Sequence, residues 1–242
     1  MTHLYIIRHG QAISTVERTM GDRGLSPLGI RQAERLRDRL AATGEIAADV
    51  LIASTMRRAK ETAEIIAPAL DIPIIFDDDI QEWRDNEPEG VNEKDYSERF
   101  NAVEFAQKPF HQMAPYAETW AQFMLRTCTA LNRITNEYAG KTIVIVCHGG
   151  IVDGSFLFFF GLSSLQFPRA FFSTHNTSIT HWYKEPNEWH ERLHIPVSWI
   201  LERYNDVMHL RDINSPFRIP WKDLAAKPIV GDVKSVAPTE MQ

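Results

Sequence analysis

Short apolar runs alternate along the chain with longer segments whose apolar residues recur every three or four positions. The short runs lie at Leu4–Ile7, Val50–Ala53, Ile72–Phe76 and Ile143–Cys147. Because these runs are rich in β-branched residues, they predict buried strands. Their alternation with helices predicts a mostly parallel sheet in a three-layer α/β/α fold. Residues 177–183 and 199–204 predict two later strands, and Pro73 favours an edge position for the third strand.

The segments between the first strands carry helix signals. Ser26 and Pro27 suit the N-cap and the first position of a helix that ends at Gly44. Ser54 or Thr55 is expected to cap the next helix. The predicted inward faces of these two helices consist of Ile30, Ala33, Leu36 and Leu40, and of Ala59, Ala63, Ile66 and Leu70.

The second half of the chain predicts two more helices, over about residues 118–138 and over residues 151–161. The inward residues of the longer helix are Trp120, Phe123, Leu131 and Ile134. Residues 83–116 are rich in charge and contain three prolines, so they predict an irregular, lid-like insertion over the strand ends. Residues 214–242 contain four prolines and predict an extended C-terminal tail.

The composition limits the classes of protein to which the chain can belong. Its 242 residues are 44% hydrophobic and show no internal repeat, which favours a single domain over residues 1–242. The formal net charge of −6 argues against nucleic acid as a general partner. The apolar stretch 143–165 is interrupted by polar residues and glycines, which argues against a membrane span, and no secretory signal is recognisable. Because the only cysteines are Cys128 and Cys147, we expect a cytoplasmic protein.

Two of the predicted strands end in a histidine that is followed by glycine. Arg8 and His9 come directly after the first strand, and His148 comes directly after the strand Ile143–Cys147. Parallel strands present their carboxyl ends at one edge of a sheet, where ligands bind in open α/β folds. Arginine offers a planar fork of donors that suits phosphate, and histidine can attack phosphorus as a nucleophile.

Three more charged residues are expected at the same edge. Arg57 and Arg58 lie in the first turn of the second helix, where a positive charge opposes the helix dipole. Such a local conflict is typical of a functional site. Glu82 follows the third strand. Two histidines, two arginines and one carboxyl group would supply a nucleophile, cations for the phosphoryl oxygens and an acid for the leaving oxygen.

Several segments resemble the histidine phosphatase superfamily, also called the phosphoglycerate mutase-like family. In chain order they are Arg8–Gly10, Leu25–Ala33, Ser54–Ala63, Ile80–Glu82, Val146–Gly150, Asn176–Ile179 and Asn205–Leu210. The resemblance extends from residue 4 to about residue 210 and implies a phosphoglycerate mutase-like α/β fold. It also implies a metal-independent phosphatase with no cofactor, which acts on a small phosphomonoester or another phosphorylated substrate.

The resemblance implies a role for each residue of the predicted site. His9 would be the nucleophile that is phosphorylated, and Glu82 would donate the proton to the leaving group. Arg8, Arg58 and His148 would bind the transferring phosphoryl group.

The chain departs from the family pattern at two positions near the nucleophile. Gln11 stands where many relatives have glutamate, and Thr15 stands where many have asparagine. Both are expected to contact the phosphate, although the changed side chains could weaken or reshape its binding. Arg58 matches the family better than Arg57 does, and we expect Arg57 to be a surface charge.

Two other catalytic motifs are weaker. His190–His194 matches the zinc motif H-E-x-x-H, but Pro186 and Pro196 leave little room for the helix that this motif requires. In a strand the two histidines would lie about 13 Å apart, which is too far for a shared zinc ion. A cysteine phosphatase would need arginine six positions after its nucleophile, and Asp153 stands six positions after Cys147.

Within this fold a phosphatase, a mutase-type phosphotransferase and a non-catalytic phosphate-binding protein remain possible. Between residues 85 and 98 only Lys94 opposes a series of acidic side chains. They are Asp85, Glu87, Glu89, Glu93, Asp95 and Glu98. A lid of this charge would repel the doubly phosphorylated intermediate of a mutase, so the sequence favours a phosphatase.

Overall fold

The structure is a computed structural model that describes residues 1–98, 109–112, 114, 116–163, 165–166, 170–184 and 199–211. Its six strands are β1 (Thr2–Arg8), β2 (Val50–Ser54), β3 (Ile74–Asp77), β4 (Thr142–Cys147), β5 (Ile179–Lys184) and β6 (Trp199–Asp206). They form one sheet in the order β3-β2-β4-β1-β5-β6. The first four strands of that order are parallel, and β5 and β6 are antiparallel to their neighbours. The predicted edge position of the third strand is confirmed.

Six helices accompany the sheet in the described ranges. They are α1 (Ile13–Glu17), α2 (Pro27–Thr43), α3 (Arg57–Leu70), α4 (Glu93–Ser97), α5 (Trp120–Glu137) and α6 (Gly149–Phe159). Short 3-10 helices cover Asp78–Ile80 and Met208–Leu210. None of these helices is both long enough and apolar enough to cross a lipid bilayer.

The alternation of side chains along β1 builds two separate cores. Leu4 and Ile6 pack in one core with residues of α5 and α6. Tyr5 and Ile7 point to the other face and pack with residues of α2 and α3. Since successive strand residues face opposite sides of a sheet, β1 is buried on both faces. The predicted three-layer α/β/α architecture is therefore confirmed.

The start of α2 and three of its four predicted inward residues, Ala33, Leu36 and Leu40, follow the prediction, and Ile30 is the exception. Ser26 is the N-cap and its hydroxyl group accepts a hydrogen bond from Gly29 N–H at 3.0 Å. Ile30, which was expected to face inward, is 42% exposed. The buried positions are Gly29, Gln32, Ala33, Leu36 and Leu40. Residue 30 lies one position beyond Gly29, which rotates its side chain by about 100° out of this stripe.

The expected cap of α3 is wrong. The N-cap is Met56, and it makes no side-chain cap hydrogen bond. The hydroxyl group of Ser54 lies 2.8 Å from His148 Nε2, and that of Thr55 is bonded to Asp78. Both hydroxyl groups therefore bond tertiary partners, and Ser54 Oγ also accepts from Met56 N–H at 3.3 Å without being the N-cap.

The turn after β1 packs closely against the first turn of α2. A Cβ atom at Gly10 would lie 2.5 Å from the carbonyl oxygen of Gly29, and a Cβ atom at Gly29 would overlap the backbone of Gln11. Gly10 N–H also donates to Thr62 Oγ1 of α3 at 3.0 Å. Because both helices of this layer hold the turn, the position of His9 is fixed from two sides.

The remaining predictions differ mainly in the limits of the elements. The buried helix after β4 begins at Gly149 rather than at residue 151, because His148 is already its N-cap. In the described part of the predicted insertion, residues 83–98, 109–112, 114 and 116, the backbone is irregular or bent apart from α4. Residues 1–211 form one compact unit, and the predicted tail over 214–242 lies outside the described residues.

Candidate active site

The two predicted histidines lie side by side at the carboxyl edge of the sheet. β1 and β4 are parallel neighbours, and Arg8 is paired with Cys147 at the end of both strands. His9 N–H donates to the carbonyl oxygen of Cys147 at 2.9 Å. The centroids of the His9 and His148 rings are 5.1 Å apart, with the rings tilted by 58°. The shared edge that the sequence predicts is confirmed.

The hydrogen bonds of His9 leave a lone pair on one ring nitrogen. Nδ1 lies 2.6 Å from the carbonyl oxygen of Gly10, which can only accept, so Nδ1 carries the proton. Nε2 in turn accepts from Arg58 Nε at 3.0 Å. Burial, followed by the positive charges of Arg58 and Arg8, holds the pKa of His9 well below its usual value. His9 is therefore neutral at neutral pH and directs a basic nitrogen toward Arg58.

His148 is more deeply buried than His9 and has no exposed surface. Its Nε2 lies 2.8 Å from Ser54 Oγ, and its Nδ1 has no hydrogen-bond partner among the residues that the structure describes. Burial is again the main cause that lowers the pKa of His148 well below the usual value, with Arg58 the next contributor. A neutral imidazole with an uncommitted ring nitrogen can bind one further polar group.

Two arginines flank His9 from different elements. Arg58 comes from the first turn of α3, and its Nη1 lies 3.4 Å from Asp22 Oδ1. Arg8 ends β1, and its Nη1 donates to the carbonyl oxygen of Thr174. The Nε atom of Arg8 is buried without a partner in the described part of the chain. Both cations therefore stand beside His9 with donor capacity for an anion.

Glu82 reaches the site from the loop after the Asp78–Ile80 turn. Its Oε1 accepts from Trp83 N–H at 3.0 Å, and its Oε2 accepts from Gly150 N–H at 3.1 Å. A Cβ atom at Gly150 would overlap Glu82 Oε1 and come within 2.9 Å of Phe123 Cζ. Gly150 thus provides the space in which the carboxyl group lies, a function that the sequence analysis missed although it included Gly150 in a family segment.

Most of these groups meet at one open pocket of about 760 Å³. Arg8, His9, Thr15, Arg58 and Glu82 line it, whereas the fully buried His148 lies behind His9 and is not among the lining residues. Its other lining residues include Asp22, Trp83, Arg84, Asp85, Glu87 and Glu89. The pocket therefore combines arginines beside His9 with a group of carboxylates, and we call the part of the lining that carries these carboxylates the rim. The rim carboxylates are Asp22, Asp85, Glu87 and Glu89.

The predicted residues outside the central group have different environments. Thr15 lines the pocket, but Gln11 is not among the lining residues, and Gln11 Oε1 accepts from Ser26 Oγ at 2.8 Å. Gln11 thus has no place in the phosphate-binding set proposed below. The side chain of Arg57 is 65% exposed and is paired with Glu61 at 2.7 Å, so it is the surface charge that was expected, at the rim of the pocket.

The loop before β5 holds the main chain of the Arg8–His9 segment. Asn176 Nδ2 donates to the carbonyl oxygen of His9, and Thr177 N–H donates to that of Arg8, both at 2.9 Å. Thr177 is fully buried and has a φ of 54°, which is unusual for a β-branched residue. Asn176–Ile179 is one of the segments that resemble the family, and the residue pattern alone indicates no role for it. The strained conformation of Thr177 belongs to the support of His9.

A metal centre finds no support in the described ranges. They contain no group of three or more His, Cys, Asp or Glu side chains that could hold a metal ion. The H-E-x-x-H segment at 190–194 lies outside the described residues.

The buried histidines make the stability of the fold dependent on pH. Burial holds the pKa of His9 and His148 well below the usual value and lowers the pKa of His181 and His209 to about 4. In the unfolded chain each imidazole titrates near pH 6.5. Each histidine therefore lowers the free energy of unfolding by up to about 1.4 kcal/mol for every pH unit of acidification below that value. Two carboxyl groups oppose this, since burial raises the pKa of Asp153 to about 6 and also raises the pKa of Asp85.

We therefore expect stability to be complete above about pH 6.5 and to fall from there toward pH 4. The midpoint of thermal unfolding should decrease between pH 7 and pH 5, because four histidines outweigh the two carboxyl groups in this window. Differential scanning calorimetry at several pH values measures this, and His209→Asn should reduce the slope. A midpoint that is constant or rises on acidification would contradict the neutral state of these imidazoles.

Comparison with known protein families gives one family match. The model of the histidine phosphatase superfamily (branch 1) matches residues 4–195. A metal-independent phosphoserine phosphatase of Arabidopsis thaliana is 24% identical over 221 residues, which are 88% of this chain and 85% of that protein. The uncharacterized phosphatase PhoE of Bacillus subtilis is 25% identical over 152 residues, or 63% of this chain and 74% of the relative.

Solved structures share the fold. A crystal structure of a phosphoserine phosphatase from Entamoeba histolytica in complex with phosphoserine superposes with a TM-score of 0.68. The match covers 87% of this chain and 100% of that chain, at 21% sequence identity. At this identity the likeness shows the fold, which is the one that the sequence resemblance implied.

Proposed function

The chain belongs to the histidine phosphatase superfamily and is a phosphatase, and on that premise we propose that it hydrolyses a phosphomonoester through a phosphohistidine formed on His9. One observation carries the proposal. Nδ1 of His9 is held by the Gly10 carbonyl group, so the lone pair of Nε2 lies between the ring and Arg58, 3.0 Å from the guanidinium. A buried neutral imidazole oriented in this way is a nucleophile, and the cation beside it attracts the phosphate that it attacks.

The proposed reaction has two steps. In the first, Nε2 of His9 bonds to phosphorus, the bond from phosphorus to the leaving oxygen breaks, and Glu82 gives that oxygen a proton. In the second, water attacks the phosphohistidine, the P–N bond breaks, and the Glu82 carboxylate takes the proton of the water. Inorganic phosphate leaves and His9 returns to its neutral state.

Three groups are proposed to stabilise the transferring phosphoryl group. Arg8 and Arg58 line the pocket beside His9 and offer cationic donors to the equatorial oxygens. The free Nδ1 of His148 can contribute a further contact once the phosphoryl group lies over the two rings. Thr15 remains a candidate at the edge of this set because it lines the same pocket.

The carboxylates at the rim favour hydrolysis over a mutase reaction. Of the rim arginines, Arg57 is paired with Glu61, whereas Arg84 keeps its charge because its partner Gln81 Oε1, at 2.8 Å, is neutral, so the rim is anionic because its carboxylates outnumber Arg84. A doubly phosphorylated intermediate would have to place its second phosphate near the rim carboxylates, which is electrostatically unfavourable. We therefore propose a monophosphorylated substrate whose leaving group is not strongly anionic.

Hydrolysis should proceed without a metal ion, because Arg8, Arg58 and the histidines supply the charge and the donors that a metal would supply. The test is release of inorganic phosphate from 4-nitrophenyl phosphate and from a panel of alkyl phosphates, with and without excess EDTA. We expect the rate of phosphate release with EDTA to lie within about twofold of the rate without EDTA. Activity that disappears with EDTA and returns with zinc or magnesium would contradict metal independence, and phosphoglycerate isomerisation without phosphate release would favour a mutase.

Gly150→Ala tests the place of Glu82 in this reaction. The new methyl group would occupy the position of Glu82 Oε1, so the carboxyl group must move away from the leaving oxygen. We expect kcat/KM for an alkyl phosphate to fall by on the order of 10²-fold. Gly149→Ala is the matched control, because its Cβ would lie 3.7 Å from Arg8 Cζ, an ordinary contact. Equal effects of the two substitutions would contradict the assignment.

A further inference from the structure

Arg126 of α5 is buried beneath the segment that carries Glu82, and only 10% of its side chain is exposed. Its Nη1 donates to the carbonyl oxygens of Asp79 and Gln81 at 2.8 and 2.9 Å. Its Nη2 donates to the carbonyl oxygen of Glu82 itself at 3.2 Å. One guanidinium therefore holds three carbonyl groups within four consecutive residues.

Glu118 completes the environment of this guanidinium. Glu118 Oε1 accepts from Arg126 Nε at 2.8 Å, and Glu118 Oε2 accepts from Arg126 Nη2 at 2.6 Å. With the three carbonyl groups, these contacts use all five N–H donors of the arginine. Lysine has three donors on a single atom and cannot reproduce this planar pattern.

Glu118 also binds the chain on the far side of Glu82. Its N–H donates to the carbonyl oxygen of Arg84 at 2.8 Å, and its carbonyl oxygen accepts from Trp83 Nε1 at 2.7 Å. Glu118 Oε2 accepts from Arg84 N–H at 3.3 Å. The segment is thus held before Glu82 by Arg126 and after it by Glu118, while the Glu82 side chain is left to point into the pocket.

We propose that Arg126, paired with Glu118, is a positioning residue that fixes the backbone from which Glu82 donates its proton. The inference rests on the proposed function, since it takes Glu82 as the acid. Arg126 is not among the residues that line the pocket, so it acts on the substrate through Glu82 rather than by contact. The phosphoryl-binding groups Arg8 and Arg58 come from β1 and α3, which Arg126 does not hold.

This separation predicts which step of the reaction suffers. Proton transfer requires the acid within about 2.6–3.2 Å of the leaving oxygen, and a displacement of about 1 Å can cost on the order of 10²-fold. Loss of Arg126 removes its donors from three carbonyl groups and leaves the Glu118 carboxylate with the Arg84 N–H group, so the segment that carries Glu82 must rearrange. An alkyl leaving group needs the proton, whereas nitrophenolate leaves without it. The defect should therefore depend on the leaving group.

The experiment compares kcat/KM for an alkyl phosphate and for 4-nitrophenyl phosphate in Arg126→Gln. We expect the alkyl rate to fall by about 10- to 10²-fold and the nitrophenyl rate to change by less than about threefold. Arg133→Gln is the matched control. Arg133 lies two turns later on α5 and binds the carboxylates of Asp77 and Asp79 at 2.7 and 3.2 Å on the surface, so it contacts the same segment but not its backbone at Glu82. Its removal should leave both rates unchanged.

Two further variants make the result decisive. If Arg126→Gln does not fold, Arg126→Lys takes its place, because lysine keeps the charge opposite Glu118. Arg126→Lys should show the same dependence on the leaving group, with a smaller loss on the alkyl phosphate. In the Glu82→Gln background, Arg126→Gln should cause no further loss on the alkyl phosphate, because the acid is already absent. Retained nitrophenyl phosphatase activity shows in each case that the variant is folded.

The possible failures are distinguishable. Equal losses on both substrates, or a further loss in the Glu82→Gln background, would overturn the positioning role of Arg126. If Glu82→Gln shows no dependence on the leaving group, Glu82 is not the acid, and both the proposed mechanism and this inference fail. If Glu82→Gln shows the dependence and the Arg126 variants do not, only the inference fails.

Discussion

Replacing His9 with alanine is expected to abolish turnover of every phosphomonoester while the protein remains folded. The substitution removes Nε2, the only atom that the proposed mechanism bonds to phosphorus, and leaves Arg8 and Arg58 in the pocket. We expect kcat to fall by at least about 10⁴-fold, as is typical when a covalent nucleophile is removed. The measurement is phosphate release at saturating substrate.

A matched control for this variant lies on the same strand. His3 is close to the opposite end of β1, where its Nδ1 lies 3.0 Å from His181 Nε2. His3→Ala also removes a hydrogen-bonded imidazole from β1, but far from the carboxyl edge, so its activity should remain within about twofold. Substantial turnover by His9→Ala, or an equal loss in His3→Ala, would show that His9 is not the nucleophile.

Glu82→Gln is expected to lower kcat/KM for alkyl phosphates by about 10²- to 10⁴-fold. Glutamine preserves the size of the side chain and can still accept from Gly150 N–H, but it cannot transfer a proton. The loss should be much smaller with 4-nitrophenyl phosphate, because nitrophenolate is a good leaving group. The expected result is a ratio of variant to native rates that decreases steadily as the pKa of the leaving alcohol rises.

The range of leaving groups is the control within this experiment. kcat/KM reports the steps up to departure of the leaving group, so slow hydrolysis of the phosphohistidine does not hide the effect. A ratio that stays constant across the series would exclude Glu82 as the acid, and a carboxyl group of the pocket rim such as Asp85 would be the next candidate.

The part of the site that could be predicted from the sequence depends on local patterns. The runs before His9 and His148 are apolar and β-branched, so they predict strands, and parallel alternation places the ends of such strands at one edge. A cation in the first turn of a helix conflicts with the helix dipole, which marked both Arg57 and Arg58, and only the family resemblance favoured Arg58. These signals need only a few neighbouring residues, and the structure confirms the positions that they imply.

The errors arise where a distant partner takes a group that a local rule assigns elsewhere. Ser54 is a good N-cap residue, but His148, 94 positions later, takes its hydroxyl group. Gln11 lies two positions after the nucleophile, yet its side-chain oxygen accepts from Ser26 and it is not among the residues that line the pocket. Propensity rules contain no information on such contacts, which depend on the packing of α2 and β4 against the site.

The support of Glu82 was invisible for the same reason. Arg126 and Glu118 lie 44 and 36 positions after Glu82 and act through backbone carbonyl and N–H groups, which carry no sequence signature. Gly150 could be noticed only as one of two glycines after a histidine. Its role depends on the missing Cβ atom opposite Glu82.

The most direct test of the proposed mechanism is to trap the covalent intermediate and identify its residue. Enzyme mixed with a labelled aryl phosphate and quenched in alkali within one turnover should retain label, and mass spectrometry should place one phosphate on the peptide that contains His9. The proposed mechanism predicts a phosphoramidate that is stable in alkali, is lost in acid and is absent from His9→Ala. A parallel sample quenched in acid is needed for the alternative: a label that survives there, is lost in alkali and is released by hydroxylamine would indicate an acyl phosphate on a carboxyl group and would contradict the phosphohistidine.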